Sequence, residues 1–171
     1  MCGIAGIWNR QGKPVAKTDL NLMVRNMNHR GPDANGSWIN QNLGLGHCRL
    51  KIIDLSDKAN QPFTDGRDVL VFNGEIFNFK QLKKEQPGSY EYKTTSDTEV
   101  LFHSLQYWGV GALHKIDGQF SFAYYNNSEN TLLLARDHVG ICPLYVMEND
   151  RELIFASEIK PILELRKSSL D

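Results

Sequence analysis

Residue 2 of this chain is a cysteine that follows Met1 directly. A small second residue permits removal of Met1, which would leave Cys2 as the chain terminus with a thiol and a free α-amine. The reference pKa of that amine is about 7.7–8.0, so part of it is neutral at pH 7 and can take the thiol proton. The resulting thiolate is a nucleophile that needs no histidine. Position alone favours the alternative that Cys2 is a small buried residue that opens a strand.

Further residues that could complete such a site recur in short motifs along the whole chain. In order they are CGIAGI at 2–7, HRGPD at 29–33, GHCRLKIIDLS at 46–56, QPF at 61–63, FNGEIFN at 72–78, SDTE at 96–99, DGQFSFAYY at 117–125, RDHVGICPLY at 136–145 and FASEIK at 155–160. Together they resemble the class II glutamine amidotransferases, which are N-terminal-nucleophile hydrolases that release ammonia from glutamine. The NGE, DLS and RDHVGICPLY segments are most similar to the glutaminase domain of glutamine-dependent asparagine synthetases of the B type.

The resemblance implies that Cys2 attacks the side-chain amide of L-glutamine and forms a thioester, which water hydrolyses to glutamate. Asn73 and Gly74 match the family's oxyanion-hole residues. The loss of one such donor costs roughly 2.7–4 kcal/mol of barrier. An Asn-Gly pair is also typical of a type I′ hairpin turn, which is the alternative for these two residues.

Three charged residues match the family's amino-acid recognition set. Arg49 corresponds to the arginine that binds the substrate carboxylate, a role suited to a planar and permanently charged group. Asp97 and Glu75 correspond to the acids that bind the ammonium group. The alternatives are an exposed strand position for Arg49, a favourable acid at a helix N-terminus for Asp97, and local backbone hydrogen bonding for Glu75.

Four other residues in these motifs are expected to have structural roles. We expect Arg30 and Asp33 to form an ion pair that anchors a loop near the site. Cys48 and Cys142 stand where the family commonly has basic or polar residues, and we expect both to be buried apolar fillers.

Composition narrows the class of protein. The 171 residues carry 19 Lys and Arg against 20 Asp and Glu, a net charge of −1 that lacks the basic excess of nucleic-acid or anionic-membrane binders. No 18-residue apolar run and no signal-peptide pattern is present, and the three cysteines are odd in number and widely spaced. We therefore expect a cytoplasmic protein without a metal site.

The elements that must position these residues follow from local patterns. Apolar runs predict strands at 4–8, 36–40, 43–50, 69–72, 120–125, 131–136, 144–147 and 152–156. Thr18 is a candidate cap for a helix over 19–28, Ser96 and Glu99 fit a capping box for a helix to residue 108, and a last helix begins near 157. Strands outnumber helices, which favours an α+β fold. The family resemblance specifies a four-layer αββα sandwich of two antiparallel sheets.

Residues 1–171 are expected to form one glutaminase domain without a synthetase domain, because no pyrophosphatase or phosphate-binding loop motif occurs. The domain should need no cofactor; ATP and Mg would serve only a partner synthetase domain or subunit that accepts the ammonia, such as one that activates aspartate. Two alternatives stay open. One is a non-catalytic glutamine-binding or assembly module, if Met1 is retained, and the other is a glutaminase for a sugar-acid or peptide acceptor.

Overall fold

The computed structural model describes residues 1–88 and 90–166. Its strands are β1 (Gly3–Asn9), β2 (Ala34–Asn40), β3 (Leu43–Arg49), β4 (Phe63–Thr64), β5 (Val69–Ile76), β6 (Gly118–Asn126), β7 (Thr131–Arg136), β8 (Tyr145–Glu148) and β9 (Glu152–Ala156). Its α-helices are α1 (Lys17–Arg25), α2 (Phe79–Glu85), α3 (Asp97–Trp108) and α4 (Ile159–Leu165). Two 3-10 segments cover Asp57–Ala59 and Gly109–His114.

The strands form two antiparallel sheets that pack face to face. One sheet has the order β2-β3-β1-β9-β8 and the other has the order β4-β5-β6-β7. Helices α1 and α4 share an apolar core with β1 and β9, whereas α3 shares a second core with β5 and β6. A third core lies between the sheets. This arrangement confirms the predicted α+β fold with four αββα layers.

Strand β5 shows why some strands are apolar on both faces. Val69 and Val71 belong to the core between the sheets, whereas Leu70 and Phe72 belong to the core beneath α3. Successive side chains of a strand point to opposite faces, so a strand inside a layered core must be apolar at every position. This burial holds β5 rigidly on both sides where it approaches Asn73.

Predicted boundaries of one strand and one helix are wrong. Strand β5 does not end at the Asn-Gly pair but runs through it to Ile76, with Asn73 paired to Ser121 of β6. The hairpin-turn alternative is thereby excluded, because long-range pairing with β6 outweighs the local turn preference. Helix α1 spans Lys17–Arg25 instead of the predicted 19–28, so Thr18 lies inside the helix and does not cap it.

The capping box before α3 is only half formed. Ser96 Oγ accepts a hydrogen bond from the Glu99 backbone N–H at 3.3 Å, as predicted. The Glu99 carboxylate instead accepts from the backbone N–H groups of Lys93 and Thr94, so it fixes the segment before the helix. Strand β4, helix α2 and both 3-10 segments were not predicted, because each is too short to show a periodic pattern.

Other predicted elements agree more closely with the structure. Apart from the strand at 69–72, each predicted strand ends within two residues of its observed bounds, and α4 begins at Ile159, two residues after the predicted start. Among the residues described, no helix is long and apolar enough to cross a bilayer.

Candidate active site

All six residues singled out for chemistry line one cleft. Its walls include Cys2, Arg49, Asn73, Gly74, Glu75 and Asp97. The antiparallel register of β1 and β3 pairs Gly3 with Cys48, so the start of β1 lies beside the end of β3. This pairing brings residues 2 and 49 together although 46 residues separate them.

The thiol of Cys2 sits in a defined environment. The backbone N–H of Leu50 donates to Sγ at 3.4 Å, and the thiol lies 3.7 Å from the Leu50 carbonyl oxygen. Burial raises the pKa of the thiol above its ordinary value, although the Leu50 hydrogen bond, the terminal amine and Arg49 act in the opposite direction. The thiol therefore stays protonated near neutral pH and needs a base before it can act as a nucleophile.

Arg49 is a buried cation that faces the cleft. Only 6 % of the residue is exposed. Nη1 donates to the Ser56 carbonyl and to Asn60 Oδ1, each at 2.7 Å, and Nη2 donates to the Asp54 carbonyl. In the part of the chain that the structure describes, no carboxylate lies within salt-bridge distance of this guanidinium. A buried cation without a counter-ion favours an anionic ligand.

Asn73 offers a side-chain amide to the cleft. The residue is 1 % exposed, and among the described residues neither Oδ1 nor Nδ2 has a hydrogen-bond partner. Buried polar atoms are almost always satisfied, so an orphaned amide in a cleft wall indicates a ligand that supplies the missing partners.

Gly74 extends this wall with bare backbone. Its φ of +147° lies in the region that favours glycine, and a Cβ at this position would approach the Gln119 carbonyl oxygen to 2.1 Å. Only glycine fits this position between β5 and β6.

Two carboxylates also line the cleft. Asp97, at the start of α3, is 5 % exposed, and Oδ2 accepts from the Ile76 backbone N–H at 3.0 Å. Burial raises the pKa of Asp97 to about 6, and the neighbouring Glu75 charge acts in the same direction. Glu75 is exposed at the rim, and its carboxylate makes no hydrogen bond or ion pair to any described residue. A ligand cation beside these groups would restore the ionised form of Asp97.

The expected ion pair between Arg30 and Asp33 does not form. Arg30 Nε donates to the Cys2 carbonyl at 2.9 Å, and Nη1 contacts Glu158 at 3.2 Å. Asp33 instead accepts from the Lys51 backbone N–H at 2.8 Å. The difference has a tertiary cause, since the end of β9 places Glu158 beside the start of β1. Arg30 thus holds the main chain of the proposed nucleophile.

The other two cysteines are fully buried, as expected for fillers. Cys48 lies beneath α1, donates to the Val24 carbonyl at 3.1 Å, and has its pKa raised by burial to about 12. Cys142 also has its pKa raised by burial, to about 11, but it lines the cleft. Its place in the cleft wall was not anticipated from the sequence.

Several residues of the cleft were missed by sequence reasoning, namely Ile52, Ile53, Gln61, Thr98 and Gln119. All five lie inside the motifs, at 46–56, 61–63, 96–99 and 117–125, so motif membership was the available signal. In the described residues no group of three or more His, Cys, Asp or Glu side chains could hold a metal ion.

Comparisons with known proteins show the family to which the chain belongs. A family model described as the glutamine amidotransferase domain matches residues 1–171. Asparagine synthetase [glutamine-hydrolyzing] 2 of Bacillus subtilis is 40 % identical over 167 residues, covering 95 % of this chain and 22 % of that protein. Asparagine synthetase B of Escherichia coli is 36 % identical over 166 residues, covering 95 % and 30 %. The chain therefore spans less than a third of the length of these relatives.

A solved structure extends the agreement to the fold. The glutamine phosphoribosylpyrophosphate amidotransferase of B. subtilis superposes with a TM-score of 0.78 at 22 % identity, covering 96 % of this chain and 43 % of that one. At this identity the likeness concerns the fold, and it includes the layered arrangement of sheets and helices described above.

Proposed function

This chain belongs to the glutamine amidotransferase family, and we propose that it hydrolyses L-glutamine to glutamate and ammonia through a thioester on Cys2. The observation that carries the proposal is the cleft that groups the Cys2 thiol with a buried cation, an orphaned amide and a buried carboxylate. These three groups are complementary to the carboxylate, the developing oxyanion and the ammonium group of one amino acid.

The reaction starts with activation of the thiol. Once Met1 is removed, the α-amine of Cys2 accepts the thiol proton, and the thiolate forms a bond to the amide carbon of glutamine. The carbonyl π electrons move to oxygen, where Asn73 Nδ2 and the Gly74 backbone N–H donate to the oxyanion. The amine then returns its proton to the departing nitrogen, ammonia leaves, and a γ-glutamyl thioester remains.

Hydrolysis of the thioester repeats these roles. The neutral α-amine takes a proton from water, and the hydroxide oxygen bonds to the thioester carbon. The carbon–sulfur bond then breaks, glutamate is released, and the departing thiolate takes the proton back from the α-amine. Arg49 holds the substrate carboxylate, and Asp97 with Glu75 holds its ammonium group throughout. No metal or organic cofactor takes part in these steps; ATP and Mg belong to the proposed partner synthetase module.

The fate of the ammonia is a proposal that follows from the relatives. Two similar proteins are named as glutamine-hydrolysing asparagine synthetases, and both are more than three times as long as the segment they share with this chain. We therefore assign the ammonia to a synthetase domain or subunit that amidates aspartate. This assignment is tested with the protein encoded by the full-length reading frame, by comparing aspartate, sugar acids and peptides as ammonia acceptors.

The test of the hydrolysis itself is replacement of the sulfur. Cys2→Ala should abolish ammonia release from L-glutamine, whereas Cys48→Ala should retain it, because Cys48 is buried beneath α1 and is not among the residues that line the cleft. Intact-mass measurement of both proteins must show loss of one methionine. Ammonia release by the Cys2→Ala protein would exclude this mechanism, and retention of Met1 in an active wild-type protein would exclude the α-amine as the base.

A further inference from the structure

The side chain of Asn73 has nothing to hold it among the described residues. Neither of its polar atoms has a partner, so its position depends on the backbone of β5 and on packing. An oxyanion donor must nonetheless lie within a few tenths of an ångström of the developing charge. The peptide groups next to Asn73 must therefore be fixed by other residues.

Two side chains bond to the backbone of Phe72, the residue before Asn73. The Phe72 N–H donates to Gln61 Oε1 at 2.6 Å, and His47 Nε2 lies 3.1 Å from the Phe72 carbonyl. Burial lowers the pKa of His47 to about 3, so the ring is neutral at physiological pH and carries one N–H. Because a carbonyl can only accept, that hydrogen is on Nε2. Both backbone polar groups of Phe72 on β5 are thus hydrogen-bonded by side chains.

Gln61 also reaches the second half of the site. Its Nε2 lies 3.4 Å from the hydroxyl of Thr98, the residue that follows Asp97 at the start of α3. A single amide therefore spans from the strand that bears Asn73 to the helix that bears Asp97.

The position of Gln61 is itself fixed by packing. The residue is 7 % exposed. Its main-chain carbonyl oxygen packs so closely against Gly36 that a Cβ on Gly36 would lie only 2.0 Å from it. Gly36 is paired with His47 across β2 and β3. The bare backbone at Gly36 allows the main chain of Gln61 to sit directly on the strand pair from which His47 extends.

We infer that Gln61 is a positioning residue for the oxyanion hole: it holds the Val71–Phe72 peptide, immediately before the Phe72–Asn73 peptide that His47 contacts, and couples this part of β5 to the N-terminus of α3. The inference rests on the proposed glutamine hydrolysis, but it assigns a role to a residue outside the nucleophile, the oxyanion donors and the amino-acid-binding set. Gln61 acts through Asn73 and does not itself touch the reacting atoms.

Gln61→Leu tests the inference, because leucine fills a similar volume but cannot accept from Phe72. We expect kcat for L-glutamine to fall on the order of 10- to 100-fold, as for other small misplacements of a catalytic group. KM should change far less, because the oxyanion forms only in the transition state. Gln61→Glu keeps an oxygen acceptor for Phe72, whether ionised or protonated, and should recover most of the lost kcat.

Gln86→Leu is the matched control. Gln86 is as buried as Gln61, and its amide donates to the Val100 carbonyl and to Ser104, away from the cleft. This variant should lose thermal stability without a selective loss of kcat. Equal losses of kcat in Gln61→Leu and Gln86→Leu at matched stability would show that Gln61 is only structural.

A measurement that does not require turnover separates this inference from the proposed function. In the NMR spectrum, the side-chain amide resonances of Asn73 should shift in Gln61→Leu and stay in place in Gln86→Leu, whether or not the protein hydrolyses glutamine. Unchanged Asn73 resonances in a folded Gln61→Leu protein would overturn the inference. An inactive wild-type protein with shifted resonances would overturn only the proposed function.

Discussion

At the scale of single residues, three buried polar groups face the cleft in states that cost stability. The Arg49 guanidinium has no counter-ion among the described residues, the Asn73 amide has no partner, and the Asp97 carboxyl has its pKa raised by burial. An unsatisfied buried polar group costs about 1–3 kcal/mol. Such groups are concentrated at functional sites, where a ligand completes them, and their signs here match those of a zwitterion.

Arg49→Lys should raise KM for glutamine by about tenfold or more, since a charge-assisted hydrogen bond contributes roughly 1.5–3 kcal/mol. A lysine ammonium cannot bond to the three oxygen acceptors around Arg49 and also present a planar pair of donors to a carboxylate. Steady-state kinetics measure this change. Arg10→Lys is the control, because Arg10 forms an exposed ion pair with Glu148 and should keep its KM. An unchanged KM in Arg49→Lys would remove Arg49 from carboxylate recognition.

The raised pKa of Asp97 predicts a pH dependence of substrate binding. Its carboxyl is protonated below pH of about 6 and ionised above it, so the charge that attracts the ammonium group is lost as pH falls through this value. KM should rise as pH is lowered from 7 to 5. A plot of kcat/KM against pH should show a transition with its midpoint at a pH of about 6. In Asp97→Asn, KM should be high at every pH and this transition absent. Retention of the transition in Asp97→Asn would assign it to another group.

At the scale of elements, the site is built where strands continue through positions that local sequence marks as breaks. Strand β5 carries Asn73 and Gly74 without turning, because both are paired with β6, to Ser121 and Phe120. The positive φ of Gly74 is compatible with the strand only without a side chain. The backbone at this point can therefore face a ligand directly.

Gly74→Ala should disrupt β5 at the oxyanion hole. A Cβ would contact the Gln119 carbonyl at 2.1 Å, so the two strands must separate. We expect a loss of about 1–3 kcal/mol of unfolding free energy, measured by urea denaturation, and a fall in kcat. Gly66→Ala is the control: Gly66 also has a positive φ, but a Cβ there would have no atom within 4 Å. This variant therefore measures the effect of backbone strain without a steric clash. Loss of kcat in both variants to the same extent would contradict a local role of Gly74.

At the scale of the whole molecule, the cleft combines residues from both sheets and from one helix. In the five-stranded sheet, Cys2 precedes β1 and Arg49 is the last residue of β3. Asn73 lies on β5 in the four-stranded sheet, and Asp97 is the first residue of α3. The core between the sheets therefore sets the distance between the nucleophile and the oxyanion donor. The core beneath α3 sets the position of the ammonium-binding carboxylate.

Phe155→Leu and Phe102→Leu should separate these two contributions. Phe155 is fully buried between the sheets and Phe102 is fully buried beneath α3, so each change should cost about 1–2 kcal/mol of unfolding free energy. At a temperature where both proteins are folded, Phe155→Leu should lower kcat more than Phe102→Leu does. The reverse order, measured at matched thermal stability, would argue against control of the catalytic distance by the inter-sheet core.

Local pattern predicted most of the elements and the family resemblance predicted the layers. Prediction from local pattern failed where residues distant in sequence determine the length of a strand or the partner of a side chain. Strand β5 continues past Asn73 because β6 pairs with it, and Arg30 bonds to Glu158 because β9 brings residue 158 to the start of β1. Both interactions depend on residues more than 40 positions away, which a local window does not contain.

By itself, the sequence determined the chemistry that is available: a cysteine that can become terminal, and motifs that carry an arginine, an amide and two acids in a recognisable order. Only the tertiary structure decided that these groups share one cleft and that Gln61 bridges β5 and α3. It also decided that, among the described residues, Arg49 has no counter-ion and the Asn73 amide has no hydrogen-bond partner. The physical reason is that burial and hydrogen-bond satisfaction are properties of three-dimensional packing, whereas residue type and spacing are properties of the chain.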